Sequence, residues 1–253
     1  LNIGPIGMTN ERPLGRLEEG LAVMRALWAS PDPIDFDGDH FQLRGMALGA
    51  PLFGETPPEI WLAAHRPRGL RLTGAHADGW LPLVTDLEEY RSLLGELRTA
   101  EAASGRAPGS VTAGLYARVV IAAEDGAAAA AMDDSFLLRF ITLTRPDEAF
   151  AARGAEHPLG AGTFGLTSFN PVGLGREDAL SLAEAVPGDV VRDTAIHGTP
   201  AQVAEQLAEF AAAGAEHIQL TNMTPLAAPA LAAESEALLG ETVAQLRGSV
   251  QNG

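Results

Sequence analysis

Residues 59–82 read Glu-Ile-Trp-Leu-Ala-Ala-His-Arg-Pro-Arg-Gly-Leu-Arg-Leu-Thr-Gly-Ala-His-Ala-Asp-Gly-Trp-Leu-Pro, and this stretch decides the fold class. Residues 59–64 are a short apolar run after Pro57-Pro58, which predicts a buried strand. A helix from about Pro67 to Ala77 follows, and residues 78–83 carry the next strand. Strand, helix and strand in such close succession form a βα unit and imply a parallel sheet.

The rhythm continues downstream. A helix is expected over roughly Leu87 to Ser104, ending near Gly105, and Val111 to Ala122 is rich enough in β-branched and apolar residues for a third full strand. Residues 126–195 interrupt the pattern. Met132, Phe136, Phe140 and Leu143 mark one helix there, and a loop rich in glycine and proline runs from Pro158 to Gly175. So much irregular sequence between barrel elements is expected to cover a site at the C-terminal ends of the strands. The last unit is explicit: Thr199 as N-cap, Pro200 at the first helical position, Gln202 completing a capping box, and Val203, Leu207 and Phe210 as the buried stripe. Gly214 stops that helix, Ala215 to Thr221 is the closing strand, and a final amphipathic helix spans about Leu231 to Leu246.

Upstream, residues 1–4 read as the end of a strand. Arg16 to Trp28 is an amphipathic helix with Leu17, Leu21, Met24 and Trp28 at helical spacing. Ile34 to Leu43 reads as a hairpin around Asp37-Gly38, with a two-residue type I′ loop placing Ile34 opposite Phe41 and Asp35 opposite His40. The strands expected, at 1–4, 59–64, 78–83, 111–122 and 215–221, number five where a closed (β/α)₈ barrel has eight. The expectation is therefore one α/β barrel domain over residues 1–253, lacking its first strands, with an insertion at about 126–195.

Composition narrows the function. With 33 acidic and 17 basic residues, net −16, the chain repels phosphate backbones, so nucleic acid is not an expected partner. All the basic residues are arginine, and there is no cysteine. Any bound anion must therefore be held by arginine, histidine, hydroxyls or backbone N–H groups, and thiolate chemistry is excluded. No run approaches the roughly 18 apolar residues of a membrane helix. The opening residues resemble neither a signal nor a transit peptide; the lack of cysteine suits a reducing cytoplasm, the location expected.

Several motifs fail on context. Gly160-x-Gly162-x-x-Gly165 matches the dinucleotide fingerprint, but an alanine-rich helix rather than a strand lies upstream. Asp35-x-Asp37-x-Asp39 resembles a calcium loop, yet His40 and Met46 stand where glycine and the bidentate glutamate belong. No paired-histidine spacing suits zinc, and no metal is expected. The stretch after residue 60 is more informative. A strand that ends on Ala63 and Ala64 leaves room for a flat ring, and the helix that opens next offers free N–H groups to an anion. His65, Arg66 and Arg68 add donors at that spot. Read from the residues alone, the same arginines equally suit a solvated helix start paired with surface acids.

Ala63-Ala64-x-x-Pro67-Arg68 followed by Leu72-x-Gly74-x-x-Ala77-Asp78-Gly79-Trp80 resembles the strand–helix–strand signature of luciferase-like monooxygenases and their F420-dependent relatives. Leu1-x-Ile3-Gly4-Pro5 leading to Arg16-Leu17-Glu18-Glu19 is similar to the family's fourth-strand loop and next helix. His197-Gly198-Thr199-Pro200 with Val203, Leu207 and Ala213-Gly214-Ala215 is similar to its C-terminal unit. The pattern is most similar to F420-dependent reductases of the methylenetetrahydromethanopterin reductase and phthiodiolone ketoreductase type.

That resemblance implies a TIM-type barrel with an insertion before the last strand. It also implies a deazaflavin or flavin ring at the C-terminal mouth, cofactor contacts from Gly4, Ala64, His65, Arg66 and Arg68, and a homodimer. The implied activity is hydride transfer between reduced F420 and a small organic substrate. The alternatives are an FMN-dependent monooxygenase, or a non-catalytic flavin-binding subunit of the same fold. Two departures bear on this. Asn2 and Ile6 stand where the family has glycine, and residues 83–86 lack a lysine that some F420 enzymes carry there. The family's catalytic residues have no matching positions in this sequence, so none is carried over.

Overall fold

The computed structural model describes residues 12–163, 169, 171 and 173–251 of the chain. The expected strand at residues 1–4, with Gly4, lies outside the described residues. Residues 12–82 and 93–113 pack as one compact unit, and residues 83–92 and 114–251 as another.

In the first unit, helix α1 (Pro13–Ala29) leads to a hairpin of β1 (Ile34–Asp37) and β2 (Gln42–Met46), then to β3 (Trp61–Leu62), α2 (Pro67–His76) and β4 (Gly79–Trp80). Helix α3 (Leu87–Ala103) and strand β5 (Thr112–Ile121) follow, and β3, β4 and the start of β5 run parallel. Trp61 aligns with Gly79, Leu62 with Trp80, and Gly79 in turn with Thr112. Leu21 of α1, Ile60 and Leu72 form a small apolar core, with Trp28 and Leu62 against it. Leu17 and Met24, on the expected apolar stripe of α1, are exposed.

The signature after residue 72 has a direct steric explanation. A Cβ on Gly74 would stand 2.8 Å from the backbone of Ala100, so glycine there lets α2 lie against α3. A Cβ on Gly79 would stand 2.2 Å from the Trp61 indole, so glycine lets that ring lie across β4. Between them Asp78 clamps the strand start. Its carboxylate accepts the Ile60 N–H at 2.8 Å, and its own N–H donates to the Ile60 carbonyl at 2.8 Å. The fully buried Glu101 carboxylate accepts N–H groups of Val111 (2.6 Å), Gly109 (2.9 Å) and Arg98, and so fixes the turn into β5. A buried carboxylate is tolerable only with donors of this kind.

The hairpin differs from the expected one. Phe36 pairs with Leu43 and Asp37 with Gln42, so the loop is Gly38 to Phe41, four residues long. Gly38 does not have the positive φ that a type I′ turn requires. The reason lies in α1. The Glu19 carboxylate accepts the N–H groups of Asp39 (2.9 Å), His40 (2.8 Å) and Phe41 (3.1 Å), which the wider loop turns toward it.

In the second unit β5 is central. Gly114–Val119 pairs in parallel with β7 (His217–Asn222), and Val119–Ile121 with the short β6 (Ile196–Gly198). The segment after β5 holds α4 (Ala127–Asp134), α5 (Phe136–Thr142), α6 (Asp147–Ala151), α7 (Arg176–Glu184) and α8 (Gly188–Arg192). The single helix expected through Met132, Phe136 and Phe140 is in fact two. Ser135 is extended, and its hydroxyl accepts the Leu138 N–H at 3.2 Å while donating to the Leu226 carbonyl at 3.1 Å. The core here joins Val120 and Ala122 at the end of β5 to Met132, Leu138, Phe150, Phe169, Val190 and Met223. Phe169, from the glycine- and proline-rich loop, is thus packed near the C-terminal ends of β5 and β7, with Leu174 of the same loop against the core.

Helix α9 (Pro200–Ala212) opens with the expected capping box, Thr199 and Gln202 each taking the other's backbone N–H. A short α10 (Thr224–Ala227) follows β7, and α11 (Ala232–Gln251) packs on α9. The sequence reading passed over β6. Among the described residues, no helix is long and apolar enough to cross a membrane.

Residues 157–163 do not form a dinucleotide site. They follow α6 rather than a strand, and the Gly162 N–H donates to the Asp147 carboxylate at 2.6 Å. Gly165 lies outside the described residues.

Candidate functional site

Strand β3 ends at Leu62, and the chain then places Ala63 exposed and Ala64 buried. The Ala64 carbonyl accepts the indole N–H of Trp80 at 2.9 Å, and Trp80 is wholly buried. The end of β3 is therefore fixed by the residue that ends β4. His65 is half-buried, and Arg66 is extended (φ −120°, ψ 149°) as the cap of α2. Pro67 occupies the first helical turn, where its missing N–H costs nothing. The Leu70 N–H donates to the Arg66 carbonyl at 2.9 Å, the first hydrogen bond of the helix. The N–H groups of Arg68 and Gly69 precede it, with no acceptor inside the helix.

This arrangement fits an anion. A Cβ on Gly69 would stand 3.2 Å from the Ala64 Cβ, so glycine lets the helix start lie close against the strand end, where a larger residue would require a shift of a few tenths of an ångström. That closeness leaves the two N–H groups and the positive end of the helix dipole at the mouth of β3, with no side chain over them from position 69. A phosphate is matched by such donors, and the small side chains of Ala63 and Ala64 leave space for a flat ring beside it.

The expected site residues divide. Ala64, His65 and Arg66 come together at the end of β3. Arg68 opens the first turn of α2 and also lines a groove of about 260 Å³ with Leu14, Glu18, Arg71, Leu72, Ala75 and His76. Gly4 lies outside the described residues. Sequence reasoning missed the positioning roles of Trp80 and Asp78. The signal was present, since Asp78-Gly79-Trp80 ends the signature. Asp86, the acid at the expected lysine region, caps α3 by accepting the Glu89 N–H at 2.7 Å.

Parallel strands joined by helices, with a helix start at the C-terminal end of one strand, define an α/β architecture of the kind found in TIM-type barrels. The family model of luciferase-like monooxygenases matches residues 3–217. The phthiodiolone/phenolphthiodiolone dimycocerosates ketoreductase of Mycobacterium tuberculosis is 34% identical over 220 residues, which is 86% of this chain and 58% of that protein. The F420-dependent hydroxymycolic acid dehydrogenase of the same species is 30% identical over 142 residues, 56% of this chain and 38% of that protein. Among solved structures, the coenzyme F420-dependent tetrahydromethanopterin reductase of Methanopyrus kandleri superimposes with a TM-score of 0.63 at 15% identity, covering 83% of this chain and 57% of that one. The chain belongs to the luciferase-like monooxygenase family, and it spans less than two thirds of the length of these relatives.

Proposed function

We propose that the protein is an oxidoreductase that moves hydride between coenzyme F420 and a carbonyl or alcohol carbon of a small organic substrate. The observation that carries this is the start of α2, drawn against Ala64 by Gly69. Its first-turn N–H groups, of Arg68 and Gly69, support the reading of a phosphate at this turn. Similarity to an F420-dependent dehydrogenase and to a ketoreductase supports the choice of cofactor and of reaction.

Reduced F420, when bound, supplies the hydride. The chain's residues do the rest of what is legible. The N–H groups of Arg68 and Gly69 would hold the phosphate, with Arg66 and His65 beside it. Ala63 and Ala64 keep the strand end small, and the Trp80 indole N–H fixes the Ala64 carbonyl. Homodimerisation, implied by the family resemblance, belongs to the same reading and is checked by light scattering.

The second reading is an FMN-dependent monooxygenase, favoured by the absence of any lysine in residues 83–86. Fluorescence titration of the chain with F420 and with FMN separates them. The proposal expects saturable F420 binding and weaker FMN binding. The reverse order supports the monooxygenase, and F420 binding without turnover of any ketone or alcohol supports a non-catalytic subunit.

A further inference from the structure

We infer that His157 is a pH-operated latch on the glycine-rich loop that follows α6. Its neutral ring holds the turn at residues 157–160 in place, and a proton taken up by that ring releases it.

His157 is 5% exposed and lies against Phe150 of α6, with ring centroids 4.3 Å apart. Both of its ring nitrogens are engaged. The Leu159 N–H donates to Nδ1 at 3.0 Å, so Nδ1 carries a lone pair and no proton. Nε2 lies 3.1 Å from the Arg145 carbonyl, an oxygen that can only accept, so the one ring proton is on Nε2. The two hydrogen bonds together demand the neutral ring in a single tautomer. The Gly160 N–H donates to the His157 carbonyl at 2.7 Å, and the Thr163 hydroxyl to the Gly160 carbonyl at 2.8 Å, which closes the turn on the histidine.

Histidine is the side chain that takes up a proton between about pH 5 and 8. On Nδ1 that proton faces the Leu159 N–H, donor against donor, and the turn must open to relieve it. The charged residues on the surrounding elements are Arg145 in the link from α5, Asp147 and Glu148 of α6, Arg153 just after α6, and Glu156 beside the ring. Arg153 is paired with Asp193 at 2.6 Å, and Asp147 accepts the Gly162 N–H at 2.6 Å. Among the described residues no carboxylate bonds either ring nitrogen, so the imidazolium gains no ion pair on forming. The Nε2–H bond to Arg145 survives protonation, and so does the hold of Asp147 on Gly162. Release is confined to the turn at Leu159.

The test is an NMR titration of the ¹⁵N-labelled chain from about pH 8 to about pH 5. It reads the ring nitrogens of His157 and the amide exchange rates, corrected for the intrinsic dependence of exchange on pH. The neutral ring should show its proton on Nε2. Its protonation should coincide with an about three- to tenfold loss of protection at the Leu159 amide, the effect of one hydrogen bond. The Gly162 amide, held by Asp147, should keep its protection over that range. His157→Asn should remove the step, because an asparagine side chain accepts the N–H two residues on at every pH. A proton on Nδ1 of the neutral ring overturns the latch. So does protection at Leu159 that stays constant while the ring protonates, or that falls while the ring stays neutral. The same acid step in folded His157→Asn overturns it too; should that variant not fold, the wild-type titration decides alone.

Discussion

Trp80 shows how one side chain couples packing to the site. Its indole is wholly buried and its N–H is committed to the Ala64 carbonyl at 2.9 Å. Trp80→Phe keeps an aromatic ring but removes the donor, leaving the carbonyl of a buried residue short of its partner. Such a loss costs about 1–3 kcal/mol. Urea unfolding of the variant should show that decrease, together with weaker cofactor binding, because the turn through Ala64 then loses its anchor. Unchanged stability would mean that the strand end is held by packing alone. Arg68 carries a second residue-scale lesson. The sequence puts Arg68 at the helix start, and in the structure it also shares a groove with Leu14 and Glu18 of α1. Sequence spacing shows that a residue is near a helix start; the direction of its side chain depends on what the helix packs against.

At the level of elements, what was legible depended on how local the determinants are. The capping box at Thr199 and Gln202 is complete within four residues, and α9 forms where its pattern says. Strands β5 and β7 declare themselves by composition. The hairpin loop and the break at Ser135 were not legible, because each depends on a distant partner, Glu19 for the loop and the Leu226 carbonyl for the break. The loop after α6 has the same character, since Asp147 closes it through the Gly162 N–H. That hydrogen bond, the largest influence, holds the Asp147 carboxyl below its ordinary range against opposing desolvation, with further help from Glu148. A carboxyl depressed in the folded state stabilises fully above its unfolded pKa of about 3.9 and loses that contribution as pH falls through the lower folded value. Wild type should therefore melt above Asp147→Asn at neutral pH, and the gap should close as pH falls below about 4. A gap that stays constant down to strongly acidic pH would show that the charge of Asp147 has no part in the loop.

For the whole molecule, the α/β class, the parallel strands and the family were readable from residues 59–82 and the C-terminal unit. Those segments bury small and apolar residues in a fixed order. The charge surplus is also a molecular property with a functional consequence. On a chain of net −16, an anionic cofactor, as proposed, would be held only where donors are concentrated. The described residues concentrate them at the turn from β3 into α2. The most direct test of that claim is the amide spectrum of ¹⁵N-labelled protein during titration with F420. The backbone N–H signals of Arg68 and Gly69 should move downfield and saturate with the same Kd as the cofactor's own fluorescence change, as expected for donors to a phosphate. Saturable binding that leaves both amides unmoved while others shift would contradict it.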